Sequence, residues 1–552
     1  MEPPTPSWGG PQTPAQSIFV RARPFAILAP MKIVTAQTMR ELDRRTTEEF
    51  DIKGTVLMER AGNGVANAVR RLAEISGFHS AFVHLVAGRG NNGGDAFVAA
   101  RQLKDLGFGV EVWLAGSIAQ VTGDAAFYLS KLKTAKIRVE ELPTMEDWQE
   151  AIKHPLAAEI LVDGVLGTGI TGPARGPVAG AIQYIRAQAN EALVVSIDLP
   201  SGLNADTGVP EGDAVAADVT VTMGLPKRGL VAPAAIDHVG AIEVVDIGLP
   251  AEAVADADAD DVEMIYLPDL QPLFPRRPRN THKGDYGHLV LIGGGASFTG
   301  AITLAARAAS RSGAGLVTAI VPHSLRPVVA TASPETMVAG APETADGALA
   351  ETAIDVIRPH LAPGRTVVLG PGLTRGPAAR ALVEFLVREA PGPLVLDADA
   401  LAVMAGEPEL FRGAKRPILL TPHPGEAALL LGTTAAAIQS DRIGAVRALA
   451  EKSGAIVVLK GAGTLVARHG HNIFVNTTGN PGMAKGGAGD VLSGLLGGLL
   501  AQGYDPFAAA CAAVYVHGRA GDLSVWRRCQ VSLTAGDLIE ELPFAFRDLS
   551  LR

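Results

Sequence analysis

AFVHLVAGRGNNGGDAFVAARQLKDL, residues 81–106, reads as a strand, a glycine-rich turn and a helix in immediate succession. The apolar run over 81–87 is nearly unbroken, which predicts a strand buried on both faces; the stretch over 93–106 has the length and spacing of a helix. A strand that passes at once into a helix begins a βαβ unit, in which crossover helices cover a parallel sheet. The turn, GRGNNGGD at 88–95, holds G-x-G-x-x-G at Gly88, Gly90 and Gly93. That spacing lets amides at a helix N-terminus approach a phosphate, and a tight strand-to-helix turn uses the same glycines.

The pattern continues on both sides. Helices are predicted over 35–49 and 56–76, and strands over 109–114, 159–162, 193–197, 218–223 and 241–245. This gives a first α/β domain over 31–250 that is doubly wound. Composition then shifts: an acidic run at 256–261 alternates with alanine, and LPDLQPLFPRRPRNTHKG follows at 267–284. Residues 251–280 are therefore expected to be a linker. Strands at 287–292, 315–321, 366–369, 393–397, 417–421 and 455–459, with helices at 299–312 and 489–502, predict a second α/β domain over 281–545. No internal repeat relates the halves.

The 552 residues carry 48 Lys+Arg against 57 Asp+Glu, a formal net charge of −9, and are 47% hydrophobic. Such a chain buries a large core and offers no basic field for nucleic acid or an anionic membrane. Two cysteines, Cys511 and Cys529, exclude a disulfide framework and fit a reducing cytoplasm. The Gly/Leu-rich stretch 491–501 falls short of the roughly 18 residues of a membrane span and reads as a buried helix. Residues 1–30, rich in proline and broken by Arg21 and Arg23, lack the core of a secretory signal. They are expected to be a disordered extension, with Met31 as an alternative start.

In open α/β sheets ligands bind beyond the carboxyl ends of strands. Three such places in the first domain are rich in oxygen. Asn91, Asn92 and Asp95 stand among the glycines of the first turn; Asp163 ends a strand before Gly167, Thr168, Gly169 and Gly172; Asp198 ends another, with Ser201 after Pro200. Each carboxylate alone fits a helix cap or a loop staple, whereas three together fit a site. Oxygen from Asn92, Asp163 and Ser201 suits a hard monovalent cation, since no His or Cys lies in these loops. Asp198 beside them is the candidate general acid or base.

In the second domain the strand ends lead into a Gly-rich turn and Ala-rich helix at 294–309, GPGLTRG at 370–376, DADAL at 397–401 and HPGE at 423–426. His423 is either a structural histidine or a site residue. The strand IVVLK runs into KGAGTLVA, and further on Gly486, Gly487 and Gly489 precede an apolar helix. Amides at that helix end form an anion hole; Asp490 in the first turn either accepts a hydroxyl proton or complements the helix dipole. No G-x-x-x-x-G-K-[ST] occurs in the chain.

GGAGD entering an apolar helix after a Lys-Gly strand end resembles the ribokinase-like fold. With GNNGGD, DGVLGTG, IDLPSG, GPGL, DADAL, TPHPGE and KGAGT in this order over about 31–540, the chain resembles the bifunctional NAD(P)H-hydrate repair enzymes. The resemblance implies a Rossmann-like three-layer αβα N-terminal epimerase domain that interconverts the R and S hydrates NADHX and NADPHX, and a ribokinase-like αβα C-terminal, nucleotide-dependent dehydratase domain that restores NADH or NADPH from the S form. It also implies that Asn91, Asn92, Gly93, Gly94, Asp95, Gly167, Thr168, Gly169, Ile170, Thr171, Gly172, Pro173 and Asp198 contact the hydrate, with potassium on Asn92, Asp163 and Ser201. In the second domain Ala301, Gly372, His423 and Asp490 would contact the hydrate, and Lys460, Gly461, Ala462, Gly463, Thr464 and Gly489 the adenine nucleotide. ADP is the implied donor, with ATP the alternative, and magnesium is expected beside the anion hole. The implied chemistry is phosphorylation of the C6 hydroxyl with Asp490 as base, followed by loss of phosphate. A homo-oligomer in the cytoplasm is implied as well. The rival reading is a vitamin or sugar kinase with an N-terminal nucleotide-binding module. Two positions depart from the family, which usually has glycine at Ala96 and at Thr374; Thr374 would be strained if its φ is positive.

Overall fold

The computed structural model describes residues 31–78, 80–154, 156–169, 172–259 and 261–550; the expected extension at 1–30, together with Ile170 and Thr171, lies outside the described residues. In chain order the strands are β1 (Met31–Lys32), β2 (Phe82–Ala87), β3 (Gly109–Leu114), β4 (Arg138–Glu141), β5 (Ile160–Gly164), β6 (Leu193–Ile197), β7 (Val219–Met223), β8 (Ala241–Val245), β9 (Val262–Met264), β10 (His288–Ile292), β11 (Leu316–Pro322), β12 (Met337–Ala341), β13 (Thr366–Leu369), β14 (Leu394–Leu396), β15 (Ile418–Leu420), β16 (Ile456–Leu459), β17 (Thr464–Ala467) and β18 (Ile473–Asn476).

The first sheet has the order β4-β3-β2-β5-β6-β7-β8 with every neighbouring pair parallel. The chain winds outward from β2 to β4, returns to β5 and winds the other way, so the loops after β2 and β5 part at a topological switch point. The second sheet repeats this plan. Its parallel part runs β12-β11-β10-β13-β14-β15-β16, with the switch between β10 and β13. Beyond β16 the sheet turns antiparallel through β17 and β18 and closes with β9 and then β1. Helices cover both faces, and separate apolar cores lie on the two sides of each sheet.

Segment 251–280, expected to be a linker, is structured. It forms helix Ala251–Asp256, strand β9 and helix Leu267–Leu270, and β9 pairs in parallel with β18 while β1 pairs with β9. Met31 and Lys32, expected within the first domain, thus belong to the second sheet. The Pro- and Arg-rich composition marks a crossover but conceals a three-residue buried strand. Strands β4 and β12 escaped the reading because they are edges: RVEE is charged, and MVAGA is short and small.

Glycines set how closely helices lie on the sheets. A Cβ on Gly93 would sit 1.9 Å from Gly88 O, and one on Gly88 2.0 Å from Val165 O. Both glycines are therefore required by the turn, whatever else it does. Ala96 is fully buried, and its methyl group fits because Gly164 faces it; a Cβ on Gly164 would lie 2.8 Å from that of Ala96. Thr374 takes φ +68, left-handed backbone that costs a β-branched residue about 1–2 kcal/mol. In the second domain helix Ala488–Ala501 packs on helix Thr299–Arg311 and on the sheet through Gly494, Gly497 and Gly498. A Cβ on Gly494 would meet Ala305 O at 2.0 Å.

Gly494→Ala should therefore cost about 1–3 kcal/mol through overpacking, read as a lower urea midpoint for the second domain. An unchanged midpoint would contradict this packing.

Candidate active sites

The first cleft opens at the switch point between β2 and β5. Gly88 N donates to Gly164 O at 2.9 Å, tying the two loops at their roots. Helix Asn91–Asp105 starts there with Asn91 exposed and Asn92, Gly93, Gly94 and Asp95 buried. Asn92 Nδ2 donates to Leu166 O at 2.9 Å, which leaves Oδ1 turned toward Gly167. A Cβ on Gly167 would lie 3.6 Å from both Asn92 Oδ1 and Asp198 Oδ2, so the glycine loop 167–169 passes directly over these two oxygens. Beyond it, Gly172 (φ +83) donates its N–H to Glu211, and Pro173 packs on Gly212.

Asp163 is fully buried and staples the loops together. It accepts from Ser201 Oγ at 2.6 Å, Ser201 N at 2.8 Å and Ser196 Oγ at 2.9 Å. Burial pushes its carboxyl up, and the hydrogen bonds from Ser201, Ser196 and Val165 N oppose this. Ser201 Oγ also accepts from Leu166 N at 2.9 Å. Asn92 Nδ2 and Ser201 Oγ thus meet on the backbone of Leu166, and Ser201 links on to the buried Asp163 carboxyl.

Asp198 directly follows β6 with φ +63, a strained conformation for a residue other than glycine. Its Oδ1 accepts from Lys227 Nζ, and from Thr222 Oγ1 and Met223 N, each at 3.3 Å. Oδ2 is left for the cleft. Lys227 is 1% exposed and donates further to Thr222 Oγ1 at 3.1 Å and Met223 O at 3.0 Å. Asp43, on helix Ala36–Glu48, and Asp95 lie in the same field. Burial lifts Asp43 to about 6, with Lys227 opposing and Asp198 reinforcing; burial, Asp198 and Asp43 together lift Asp95 well above the usual range. The sequence reading missed Lys227 and Asp43. Lys227 follows β7 in GLPKRG, a strand end of the kind that points to site residues; Asp43, inside a helix, gives no such signal.

The second cleft lies at the other switch point. Gly372, with φ +69, approaches so closely that a Cβ would stand 2.6 Å from Phe298 O and 3.3 Å from Ala301 Cβ. Ala301 and Gly372 are therefore neighbours. His423 caps helix Pro424–Leu431: Nδ1 accepts from Gly425 N at 3.0 Å and Glu426 N at 3.2 Å, which assigns the proton to Nε2. The ring is more than half exposed, so its structural role leaves Nε2–H at the cleft, 3.4 Å from Glu426 Oε1.

Lys460 reaches the same place. Its Nζ donates to Asp397 Oδ1 at 2.7 Å, stands 3.7 Å from Glu426 Oε2, and would lie 3.4 Å from a Cβ on Gly489. The Lys460–Thr464 loop and the N-terminus of helix Ala488–Ala501 thereby meet. Gly487 takes φ +94 at the helix entrance, and Asp490 follows in the first turn. Burial first, then the charges of Asp397 and Glu426, push the Asp490 carboxyl up to about 7 against the pull of Lys460. A general base serves best near the ambient pH. Asp397 and Glu426 were visible in DADAL and HPGE but carried no role in the sequence reading.

Among the described residues no group of three or more His, Cys, Asp or Glu is arranged to hold a metal, and no helix is long and apolar enough to cross a membrane. Both cysteines are free, Cys511 buried and Cys529 exposed.

Residues 289–544 match the family described as NAD(P)H-hydrate dehydratase, and residues 54–229 the family described as YjeF-related protein N-terminus. The bifunctional NAD(P)H-hydrate repair enzyme Nnr of Moorella thermoacetica is 41% identical over 519 residues, covering 94% of this chain and 97% of that protein. That of Coxiella burnetii is 37% identical over 507 residues, covering 91% and 97%. Among solved structures, the ADP/ATP-dependent NAD(P)H-hydrate dehydratase of Bacillus subtilis, co-crystallized with ATP/Mg2+, is 28% identical and covers 52% of this chain and 98% of its own, with a TM-score of 0.46. With relatives alike over nearly their whole length, the chain belongs to the family of bifunctional NAD(P)H-hydrate repair enzymes.

Proposed function

We propose that the first cleft epimerises the R and S forms of NADHX and NADPHX and that the second dehydrates the S form at the expense of an adenine nucleotide, ADP by family resemblance. The observation that carries the reading is Asp490: a half-buried carboxyl raised to about 7, in the first turn of a glycine-entered helix and within the field of Lys460, Asp397 and Glu426. An acceptor hydroxyl held there loses its proton to Asp490 while the helix N–H groups face the transferring phosphoryl group. The phosphate ester at C6 is a better leaving group than hydroxide: as phosphate departs from C6, pushed by the N1 lone pair, a proton leaves C5 to water or to the departing phosphate, and the C5–C6 double bond of the reduced ring is restored. Ala301, Gly372 and His423 Nε2–H hold the hydrate in this reading, and Lys460, Gly461, Ala462, Gly463, Thr464 and Gly489 the nucleotide. A simple vitamin or sugar kinase would leave the first cleft without a task.

In the first cleft Asp198 Oδ2 takes the C6 hydroxyl proton as the C6–N1 bond opens to an aldehyde and N1 takes up a proton; the reverse steps on the other face of the carbonyl close the ring with inverted configuration, with Lys227 fixing the other oxygen. Asn91 to Asp95 and the loop from Gly167 to Pro173, which includes Ile170 and Thr171, enclose the hydrate. Potassium on Asn92, Asp163 and Ser201 belongs to this reading, supported by the side-chain oxygens these residues carry and by a buried Asp163 carboxyl that has no basic partner among the described residues. Bound there, potassium would supply charge compensation to the two loops. Magnesium suits the second cleft as an ion carried mainly by nucleotide phosphates and water, with Asp490 and Glu426 at hand and no protein-only cage required. It would neutralise charge on the phosphates. Cytoplasmic residence and a homo-oligomer complete the proposal, supported by the two free cysteines and by family resemblance.

With mixed R/S NADHX, Asp198→Asn should lower epimerisation by about 10²–10⁴-fold while dehydration of the S form persists. Stopped-flow absorbance at the reduced-nicotinamide band separates the two phases, and equal loss of both would contradict separate clefts. The dehydration rate should rise with pH through about 7, because ionised Asp490 is the active base. Asp490→Asn should abolish turnover across the range; a variant that keeps the wild-type acid limb would remove Asp490 from this role.

A further inference from the structure

Arg442 opens helix Arg442–Ser453 and lies beneath the loop that follows β16. Its Nη2 donates to Leu459 O and Gly463 O, each at 3.2 Å, and its Nη1 to Gln439 Oε1 at 2.9 Å and Lys460 O at 3.4 Å. A Cβ on Gly461 would stand 2.8 Å from Nη1, so a side chain there would collide with the guanidinium. The loop's first glycine and the arginine are thus matched parts.

The hydrogen bonds of Arg442 are satisfied, yet its charge is not. Every acceptor is a neutral carbonyl or amide oxygen, and no carboxylate within ion-pair distance is found among the described residues. Asp441, its chain neighbour, is turned onto Gly444 N at 2.8 Å. Burial alone acts on the guanidinium, pushing its pKa down, with no acidic group opposing. Lys460 is the reverse case: one ammonium faces Asp397 and Glu426, with Asp490 close by, and has no positive charge left over for a ligand. A half-buried cation without a counter-ion, bound to three carbonyls of one loop, is stabilised when an anion settles on that loop.

We infer that Arg442 is a nucleotide-positioning residue, which fixes the Lys460–Thr464 loop from beneath and offers its unneutralised charge to the phosphates of a nucleoside di- or triphosphate. The inference rests on the reading of that loop as the nucleotide site. Arg442 touches neither the hydrate nor Asp490 in this account, so its effect belongs to nucleotide affinity and not to the chemical step. Lysine at this position keeps the charge but loses the fork that reaches several carbonyls at once.

The test uses the full chain as wild type, Arg442→Lys and Arg442→Gln, with binding of ADP, ATP and adenosine measured by calorimetry at low and high salt. Steady-state dehydration is measured alongside, and epimerisation by the other domain serves as the internal control for folding. Arg442→Gln should weaken ADP and ATP at least tenfold and adenosine far less, with the gap narrowing in salt; Arg442→Lys should fall between Gln and wild type. The apparent KM for nucleotide should rise while kcat at saturating nucleotide and KM for the hydrate stay within about twofold. Equal weakening of adenosine and ADP, unchanged affinities, or a collapse of kcat with unchanged nucleotide KM would each overturn the inference. A wild-type chain that binds no adenine nucleotide would instead overturn the reading of the loop itself.

Discussion

One lysine at the carboxyl end of each sheet, fully enclosed in the first and half-buried in the second, holds the carboxylates on which everything else in the two clefts depends. Lys227 secures Asp198, and Lys460 secures Asp397 while standing near Glu426. A carboxylate removed from water is costly unless paired; at Asp198 the ion pair ties down one oxygen and leaves the other for the cleft, whereas Asp397 is held through both oxygens, by Lys460 and by Ser493 Oγ. The backbone pays locally for the same arrangement. Asp198 and Ala398, which directly follows Asp397, both adopt positive φ at a strand end. In the first domain a strained strand end and a buried cation act together to aim a carboxyl group, while in the second they hold Asp397 between Lys460 and Ser493, and its charge helps to lift Asp490.

The two sheets share a winding plan without a shared sequence repeat. Each runs outward from a central strand, returns beside it and continues the other way, leaving a crevice where successive loops diverge. Glycine decides how narrow that crevice is. At Gly88, Gly93 and Gly164 it brings helix and strands of the first domain together, and at Gly494, Gly497 and Gly498 it does the same beneath Asp490. The chemistry differs because the carboxyls differ. Asp198 is locked on one side by a fully enclosed lysine, whereas Asp490 has no tie of its own and is lifted by burial and by like charges to the middle of the physiological range.

Much of this was legible in the sequence, for identifiable reasons. Unbroken apolar runs revealed the central parallel strands, and strand-end loops rich in Gly, Asn and Asp revealed the clefts. Edges were harder, since RVEE and MVAGA lack the apolar signal of strands buried on both faces. The 251–280 segment hid β9 because three residues cannot outweigh the surrounding proline and acid. Lys227 was passed over although it follows a strand that had been recognised. Asp43 could not have been found at all, because only the folded chain brings its helix to Asp198 and Asp95. His423 shows the limit of choosing between a structural and a functional histidine: its Nδ1 caps a helix, and by doing so it presents Nε2–H to the cleft.

The central claim is that the second cleft joins phosphoryl transfer to elimination, so that phosphate passes through the substrate and leaves it. The most direct measurement is the ratio of inorganic phosphate released to reduced nicotinamide formed, followed through one time course with S-NADHX and nucleotide. This account predicts one phosphate for each NADH, released with the absorbance rise and with no phosphorylated organic product at the end. Phosphate retained on an organic product, with no recovery of NADH, would contradict it.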